Sequence, residues 1–353
     1  MGMLGMVSCA NDTTFDVSSE VEVTFELANS DGWNDIQTSR AVIVDNGKLA
    51  SSGFGVFAYY AKQTPDFMNN TKVYSTDGST KWTYSPVKYW PNNENDKLSF
   101  FAYAPYNKDF SVDNVSQLNY TVPQQADEQI DLLWSRSNTK NLNKANGTIT
   151  FAFRHALSRI GFSAQAIIEN SSHIDDMEKV VMKVKKIVLT STDDETGVGM
   201  NVFYKKAVLN LDNPTINPVW SNWSGKQSYT LDDTNLQREG LTLTKNRADV
   251  TQNPLNKNDS YLMIIPQDLS GEGFRVYMEY DVELWYSKNN TDYKYHTYTN
   301  KCVGDLKINF EPGKAYTLKF LLGLENATLG EVSMADWDEV NLDTFDNLLG
   351  EEQ

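Results

Sequence analysis

The feature that most constrains this chain of 353 residues is a long alternation of apolar and polar positions between Phe274 and Thr299. Phe274, Val276, Met278, Tyr280, Val282 and Leu284 take every second place. After a polar turn from Ser287 to Asp292, the pattern resumes at Tyr293, Tyr295, Thr297 and Thr299. Successive side chains of a strand point to opposite faces, so a period of two sustained this long reads as a β-hairpin with one face in a core. A lone hairpin is marginal in water and needs further strands to cover that face. The chain supplies them. Across residues 20–27, Val21, Val23, Phe25 and Leu27 alternate with Glu20, Glu22, Thr24 and Glu26, the pattern of a half-buried strand. Further strands are predicted at 54–59, 117–122, 148–153, 160–164, 184–190, 200–204, 207–211 and 316–322. Only residues 175–186, with Met177, Val180, Val181 and Val184 spaced by three, one and three, fit a short helix. Many short strands with almost no helix predict an all-β protein built of sandwiches.

Charge and composition remove several classes of function. A net charge of -16 argues against nucleic acid, whose phosphates need clustered Lys and Arg. No run approaches the roughly 18 apolar residues of a transmembrane helix, so attachment to a membrane would have to be through lipid. Cys9 and Cys302 are the only cysteines, which excludes a disulfide framework and makes Cys302 a buried thiol. His155, His173 and His296 stand in unrelated contexts without the spacing of a zinc site. Asp193-Asp194-Glu195 lacks the oxygen-rich spacing of a calcium loop and reads as a solvated turn. No nucleophile elbow or phosphate-binding loop appears, so neither catalysis, a cofactor nor a metal is expected. Aromatic residues are abundant, at 8 Trp, 18 Tyr and 16 Phe. Trp33, Trp220 and Trp223 sit in polar, loop-like surroundings and are the candidates for stacking on sugars. Their alternative role is to fill a sandwich core, as expected of Trp82, Tyr89 and Trp90.

Several phrases then fall in a fixed order. W-T-Y-S-P-V-K-Y-W-P-N-N-E-N-D-K-L-S-F-F-A-Y-A-P runs from Trp82 to Pro105, two aromatic runs around a turn-rich segment. It is preceded by Phe54-Gly55-Val56-Phe57-Ala58-Tyr59 and followed by Asp131-Leu132-Leu133. Next comes Phe151-Ala152-Phe153-Arg154-His155-Ala156-Leu157-Ser158-Arg159-Ile160, and Ala335-Asp336-Trp337 closes the series. This order resembles the fimbrillin family, lipoprotein subunits of surface fimbriae in Bacteroidetes. The resemblance implies two tandem β-sandwich domains of transthyretin-like type, placed at 10–157 and 158–353, the second with an acidic tail. It implies a cell-surface protein of the outer membrane whose partners are other fimbrial subunits and a host or bacterial surface ligand. The alternative is a surface lipoprotein that binds carbohydrate.

Two further expectations depend on this resemblance. Met3-Leu4-Gly5-Met6-Val7-Ser8-Cys9 looks like the end of a lipoprotein signal, so residues 1–9 read as a truncated leader with Cys9 as the lipidation site. Arg40-Ala41 ends a polar loop after the first strand. The family resemblance makes this pair the proteolytic cleavage site that frees the first strand; otherwise Arg40 is an ordinary loop arginine. The replacing strand would come from a neighbour's residues 332–349, where Val340, Leu342 and Thr344 alternate but Asp338, Asp343 and Asp346 intrude.

Overall fold

A computed structural model describes residues 20–27, 46–60, 66–78, 81–114, 116–135, 139–167, 178–213, 215, 217–237, 239–244, 252–257 and 260–337. The first half contains β1 (Phe25–Leu27), the short helix α1 (Asn46–Ser52), β2 (Phe54–Tyr60), β3 (Met68–Ser75), β4 (Trp82–Thr83) and β5 (Leu98–Ala104). It continues through β6 (Val112–Asp113), β7 (Gln117–Thr121), β8 (Leu133–Ser135), β9 (Ile149–Phe151) and β10 (Phe153–His155). The second half opens with β11 (Ser158–Ala166), β12 (Lys179–Thr190), β13 (Phe203–Asn210), β14 (Val219–Gln227), β15 (Tyr229–Leu231) and β16 (Leu241–Thr244). Short strands follow at β17 (Asn253–Pro254), β18 (Leu262–Ile264) and β19 (Gln267–Asp268). The chain then forms the long hairpin of β20 (Phe274–Lys288) and β21 (Thr291–Leu306), followed by β22 (Asn309–Phe310), β23 (Lys314–Leu322) and β24 (Ala327–Asp336). The all-β expectation holds.

The first half is organised on a six-stranded sheet in the order β10-β8-β5-β2-β3-β4. Its central strands are apolar on both faces because both faces are covered. Phe54, Val56 and Phe100 share a core with Val23, Phe25, Ile149 and Phe151. On the other side, Phe57, Tyr59, Phe101 and Tyr103 pack with Leu118, Tyr120, Leu209 and Trp220. The covering layer there is a sheet in the order β14-β13-β7-β6. Its ladder between β7 and β13, Thr121↔Lys206 to Gln117↔Asn210, joins the two halves of the chain. The third core lies between the sheets β17-β11-β23-β24 and β15-β12-β20-β21, where Phe274, Val276, Met278, Tyr280 and Val282 meet Phe162, Leu318 and Phe320. These are the alternating positions of β20, whose period of two is the imprint of a buried face. Tyr293, Tyr295, Thr297 and Thr299 of β21 are exposed instead, because the bulge at Tyr295 shifts the alternation and β21 meets the core through Tyr298 and Cys302.

The structure corrects several local expectations. The described part of the expected helix at 175–186 belongs to β12, which pairs with β20 from Lys179↔Trp285 onward. Val180, Val181, Met182 and Val184 are all buried, and a strand covered on both faces shows no clean alternation. A helix occurs instead at α1, seven residues long. The strands expected at 200–204 and 207–211 are one strand, β13, with a register shift between Lys206 and Val208. The 148–153 run divides at Ala152, β9 pairing with β1 and β10 with β8. Tyr89, expected in the core, is exposed, because it pairs with Glu22 on the solvent side.

Candidate functional site

The alternation at 20–27 lays this segment into the first core, with Val23 and Phe25 inward. β1 runs parallel to β9, Phe25↔Ile149 and Leu27↔Phe151, and the Ile149 amide donates to Thr24 O at 2.9 Å. On its other side, Val23 N–H donates to Lys88 O at 2.9 Å, and Trp90 N–H donates to Val21 O at 2.8 Å. The segment is therefore hydrogen-bonded along both edges. The Phe25 ring stacks on Phe151 with centroids 5.6 Å apart and packs on Tyr84 at 5.3 Å. Phe54 and Phe100 meet it edge-on at 6.4 and 6.1 Å. Burial pushes the Tyr84 phenol up to about 12, so it stays a neutral donor, 2.7 Å from Val23 O. Burying a valine and a phenylalanine contributes on the order of 3–6 kcal/mol together. The outward residues are the polar half of the pattern: Thr24 meets the Thr148 hydroxyl at 2.9 Å, and the Thr150 hydroxyl donates to Glu26 Oε1 at 2.6 Å. Without 20–27, an aromatic-lined groove with two unpaired backbone edges would stand open.

Cys9, Trp33, Arg40, Ala41 and His173 lie outside the described residues. Trp220 and Trp223 are not in a loop but in the edge strand β14, whose exposed Asn222, Ser224 and Lys226 give the surroundings a loop-like composition. Trp220 is 7% exposed and its indole N–H donates to Ala156 O at 2.9 Å, so its ring faces are unavailable to a sugar. Trp223 is 42% exposed, with its indole N–H donating to Pro266 O at 3.1 Å.

In the acidic turn Asp193 and Glu195 are solvated as expected, but Asp194 is not. Asp194 is buried and its carboxylate accepts from the Thr190 hydroxyl at 2.7 Å and from the amides of Gly197 and Gly199 at 2.9 and 2.8 Å. The amides of Thr196, Val198 and Met200 also point to it. A carboxylate filled by its own loop is an anchor and not a calcium ligand. Among the described residues, no group of three or more His, Cys, Asp or Glu is placed to hold a metal ion, and no helix is long and apolar enough to cross a membrane.

Comparison with known proteins follows the same lines. A profile described as fimbrillin-like matches residues 39–337. The chain belongs to this family. It is 25% identical over 366 residues to the fimbrium subunit Fim1C of Phocaeicola vulgatus, covering 90% of this chain and 89% of that protein. Its fold is similar to the crystal structure of a fimbrial protein from Bacteroides vulgatus, with a TM-score of 0.63 and 21% identity over 90% of this chain and 99% of the other.

Three of the fimbrillin-like phrases meet at one point. Asp131, from Asp131-Leu132-Leu133, places Oδ1 2.9 Å from His155 Nδ1. Trp337, the last residue of Ala335-Asp336-Trp337, lies against His155 and donates its backbone N–H to Gly313 O at 3.0 Å. Arg159, from the same phrase as His155, stands over the rings of both Tyr261 and Trp337, 4.5 and 5.3 Å from their centroids. His155 is thus a structural residue at the crossing between the halves. The sequence shows each phrase but not their meeting, since the contacts join residues from 131 to 337.

Proposed function

We propose that this chain is a subunit or accessory protein of cell-surface fimbriae, assembled by strand exchange and mediating adhesion. In this reading, lipid on Cys9 delivers it to the outer membrane, and cleavage between Arg40 and Ala41 severs the first strand from the body. Segment 20–27 then leaves and a neighbouring subunit's strand takes its place. The observation that carries the reading is the double-edged pairing of 20–27, with Val23 and Phe25 in the core and both backbone edges bonded. Such a slot accepts an incoming strand through main-chain hydrogen bonds and selects it through alternate side chains. The family match begins at residue 39, beside Arg40, which is consistent with a body that starts after the cut. The donor is restricted by β24: residues 332–336 pair with β23 and Trp337 is buried, so a donor segment would have to begin after Trp337. No catalytic role is assigned.

Limited trypsin treatment of the purified protein tests the mechanism. Release of the chain up to Arg40, followed by high-mass ladders that survive mild denaturant, is the expected result. Equal polymerisation of Arg40→Ala protein, or cleaved protein that loses 20–27 and stays monomeric, would overturn it. Detergent partitioning of the full-length protein, abolished by Cys9→Ala, tests the lipid.

A further inference from the structure

The slot that holds residues 20–27 is selective at two points. Val23 is fully buried and Phe25 is 5% exposed, whereas Val21 is 39% exposed and Leu27 is only partly covered. The slot's hydrogen bonds are blind to side chains: the amides of Ile149 and Trp90, the Lys88 carbonyl and the Tyr84 hydroxyl all meet backbone atoms of the segment. The outward residues Glu22, Thr24 and Glu26 are exposed, and the last two meet the hydroxyls of Thr148 and Thr150. An occupant must therefore place two apolar residues two positions apart, the second of them large, with polar or acidic residues between and beside them.

The chain carries this pattern a second time. Val21-Glu22-Val23-Thr24-Phe25-Glu26-Leu27 and Asp338-Glu339-Val340-Asn341-Leu342-Asp343-Thr344 align without a gap. Val340 falls on the site of Val23, and Leu342 on that of Phe25. Glu339, Asn341 and Asp343 fall on the outward sites of Glu22, Thr24 and Glu26, and Asp338 on the exposed site of Val21. In this register no acid of 338–344 enters the core, although Asp338 and Asp343 look out of place in a buried strand. These residues lie outside the described part of the chain and follow directly on Trp337, just past the last β23–β24 pair, Lys314↔Asp336. Glu331-Val332-Ser333-Met334 has a related spacing, but β23 already pairs with it. Leucine underfills the cage of Phe54, Tyr84, Phe100 and Phe151 that surrounds Phe25. The resident segment is both the better fit and tethered, so it keeps the slot until it is cut away.

We infer that the slot selects residues 338–344 of a second copy of this chain, with Val340 in the place of Val23 and Leu342 in that of Phe25. This rests on the strand-exchange reading and adds to it the partner and the register. Donor and slot are different surfaces, so each copy gives one strand and receives another, a head-to-tail contact that extends as an open filament. Paired cysteines in the full-length protein, with Cys9→Ser, test the register. After trypsin treatment, Thr148→Cys/Asn341→Cys protein should form disulfide-linked ladders with no other subunit present, because the Thr24 site faces Thr148. Thr148→Cys/Leu342→Cys protein, one position off, should form none. Leu342→Asp should abolish ladders, and Asp343→Asn should leave their yield within about threefold, a difference below 1 kcal/mol. Ladders that lack the disulfide would put another segment or register in the slot, and a disulfide within one molecule would put the donor in its own slot. Either result overturns the inference and leaves strand exchange standing. Cleaved protein that stays monomeric but rebinds a synthetic peptide of residues 20–27 does the same. Cleaved protein that binds neither that peptide nor one of residues 338–344 would overturn both.

Discussion

The imidazole of His155 lies flat on the indole of Trp337, with ring centroids 4.2 Å apart and planes 1° from parallel. The stack fastens the end of β24, an edge strand, to the crossing between the halves. Trp337 is 2% exposed, and its removal would leave a cavity beside a buried His155–Asp131 pair. Trp337→Ala is expected to cost about 3–5 kcal/mol, read as a lower urea midpoint with an unchanged slope. A loss below about 1 kcal/mol, ordinary for a surface change, would show the stack to be incidental.

The same pair predicts a comparable effect from its acidic side. Asp131 is buried, and its Oδ2 has no hydrogen-bond partner among the described residues. His155→Ala takes away the group at its other oxygen, and stranding a buried carboxylate costs roughly 3–5 kcal/mol. His155→Ala/Asp131→Leu should recover part of that loss. A double-mutant cycle with no coupling would refute the account.

Asp194 predicts an acid limb. Burial pushes its carboxyl up, but the hydroxyl of Thr190 and the amides of Gly199, Thr196 and Met200 outweigh this and hold it well below the ordinary 3.8. The folded protein therefore binds fewer protons at this site than the unfolded chain. Its contribution is complete above the ordinary value and is lost as pH falls through 3.8 toward the native one. Asp194→Asn should destabilise the protein by about 3 kcal/mol at pH 7 and flatten the fall in stability below about pH 4. An unchanged acid limb in the variant would contradict this.

Phe25→Ala should loosen segment 20–27 before anything else, since the ring touches Phe54, Tyr84, Phe100 and Phe151 from a three-residue strand. A Phe→Ala truncation in a core costs about 3–5 kcal/mol. Hydrogen exchange should quicken at the amides of Val23, Trp90 and Ile149 while those of β20 stay protected. Uniform loss of protection would mean the segment does not open separately.

Gly55 lies under the ring of Tyr103, where an added Cβ would come within 2.3 Å of the ring. Tyr103 cannot swing away freely, since its hydroxyl donates to Asn70 Oδ1 at 2.6 Å and lies 2.8 Å from Asn107 O. Gly55→Ala should cost about 1–3 kcal/mol by overpacking, measured by thermal denaturation. A neutral result would mean that β2 and β5 can part at this point.

The legible parts of the fold were those whose signal is local. β20 shows in the sequence because the face from Phe274 to Val282 is fully buried while Arg275, Glu279 and Asp281 on the other are partly solvated, and the first strand shows for the same reason. β12 reads as a helix because Val180 and Val181 are both buried, which erases the alternation and leaves a spacing that also fits a helix. Trp220 looked like a loop residue because every position from Ser221 to Lys226 is at least partly exposed, while its own contact partners, Tyr120 and Ala156, are remote in sequence. The parallel pairing of β1 with β9 joins positions 124 residues apart, Phe25 to Ile149, and nothing local to either strand encodes it. The family phrases carried what periodicity could not, but as an order along the chain and not as a contact among Asp131, His155 and Trp337.

The β7–β13 ladder gives the molecule its stiffness. Because five residue pairs, from Thr121↔Lys206 to Gln117↔Asn210, bridge the halves, and Tyr59 and Tyr103 are buried in the same core as Leu209 and Trp220, neither half can pivot about the crossing at Leu157. A bend there would tear a ladder and open a core together. Under tension the chain would act as one rigid link, yielding at its ends before its middle.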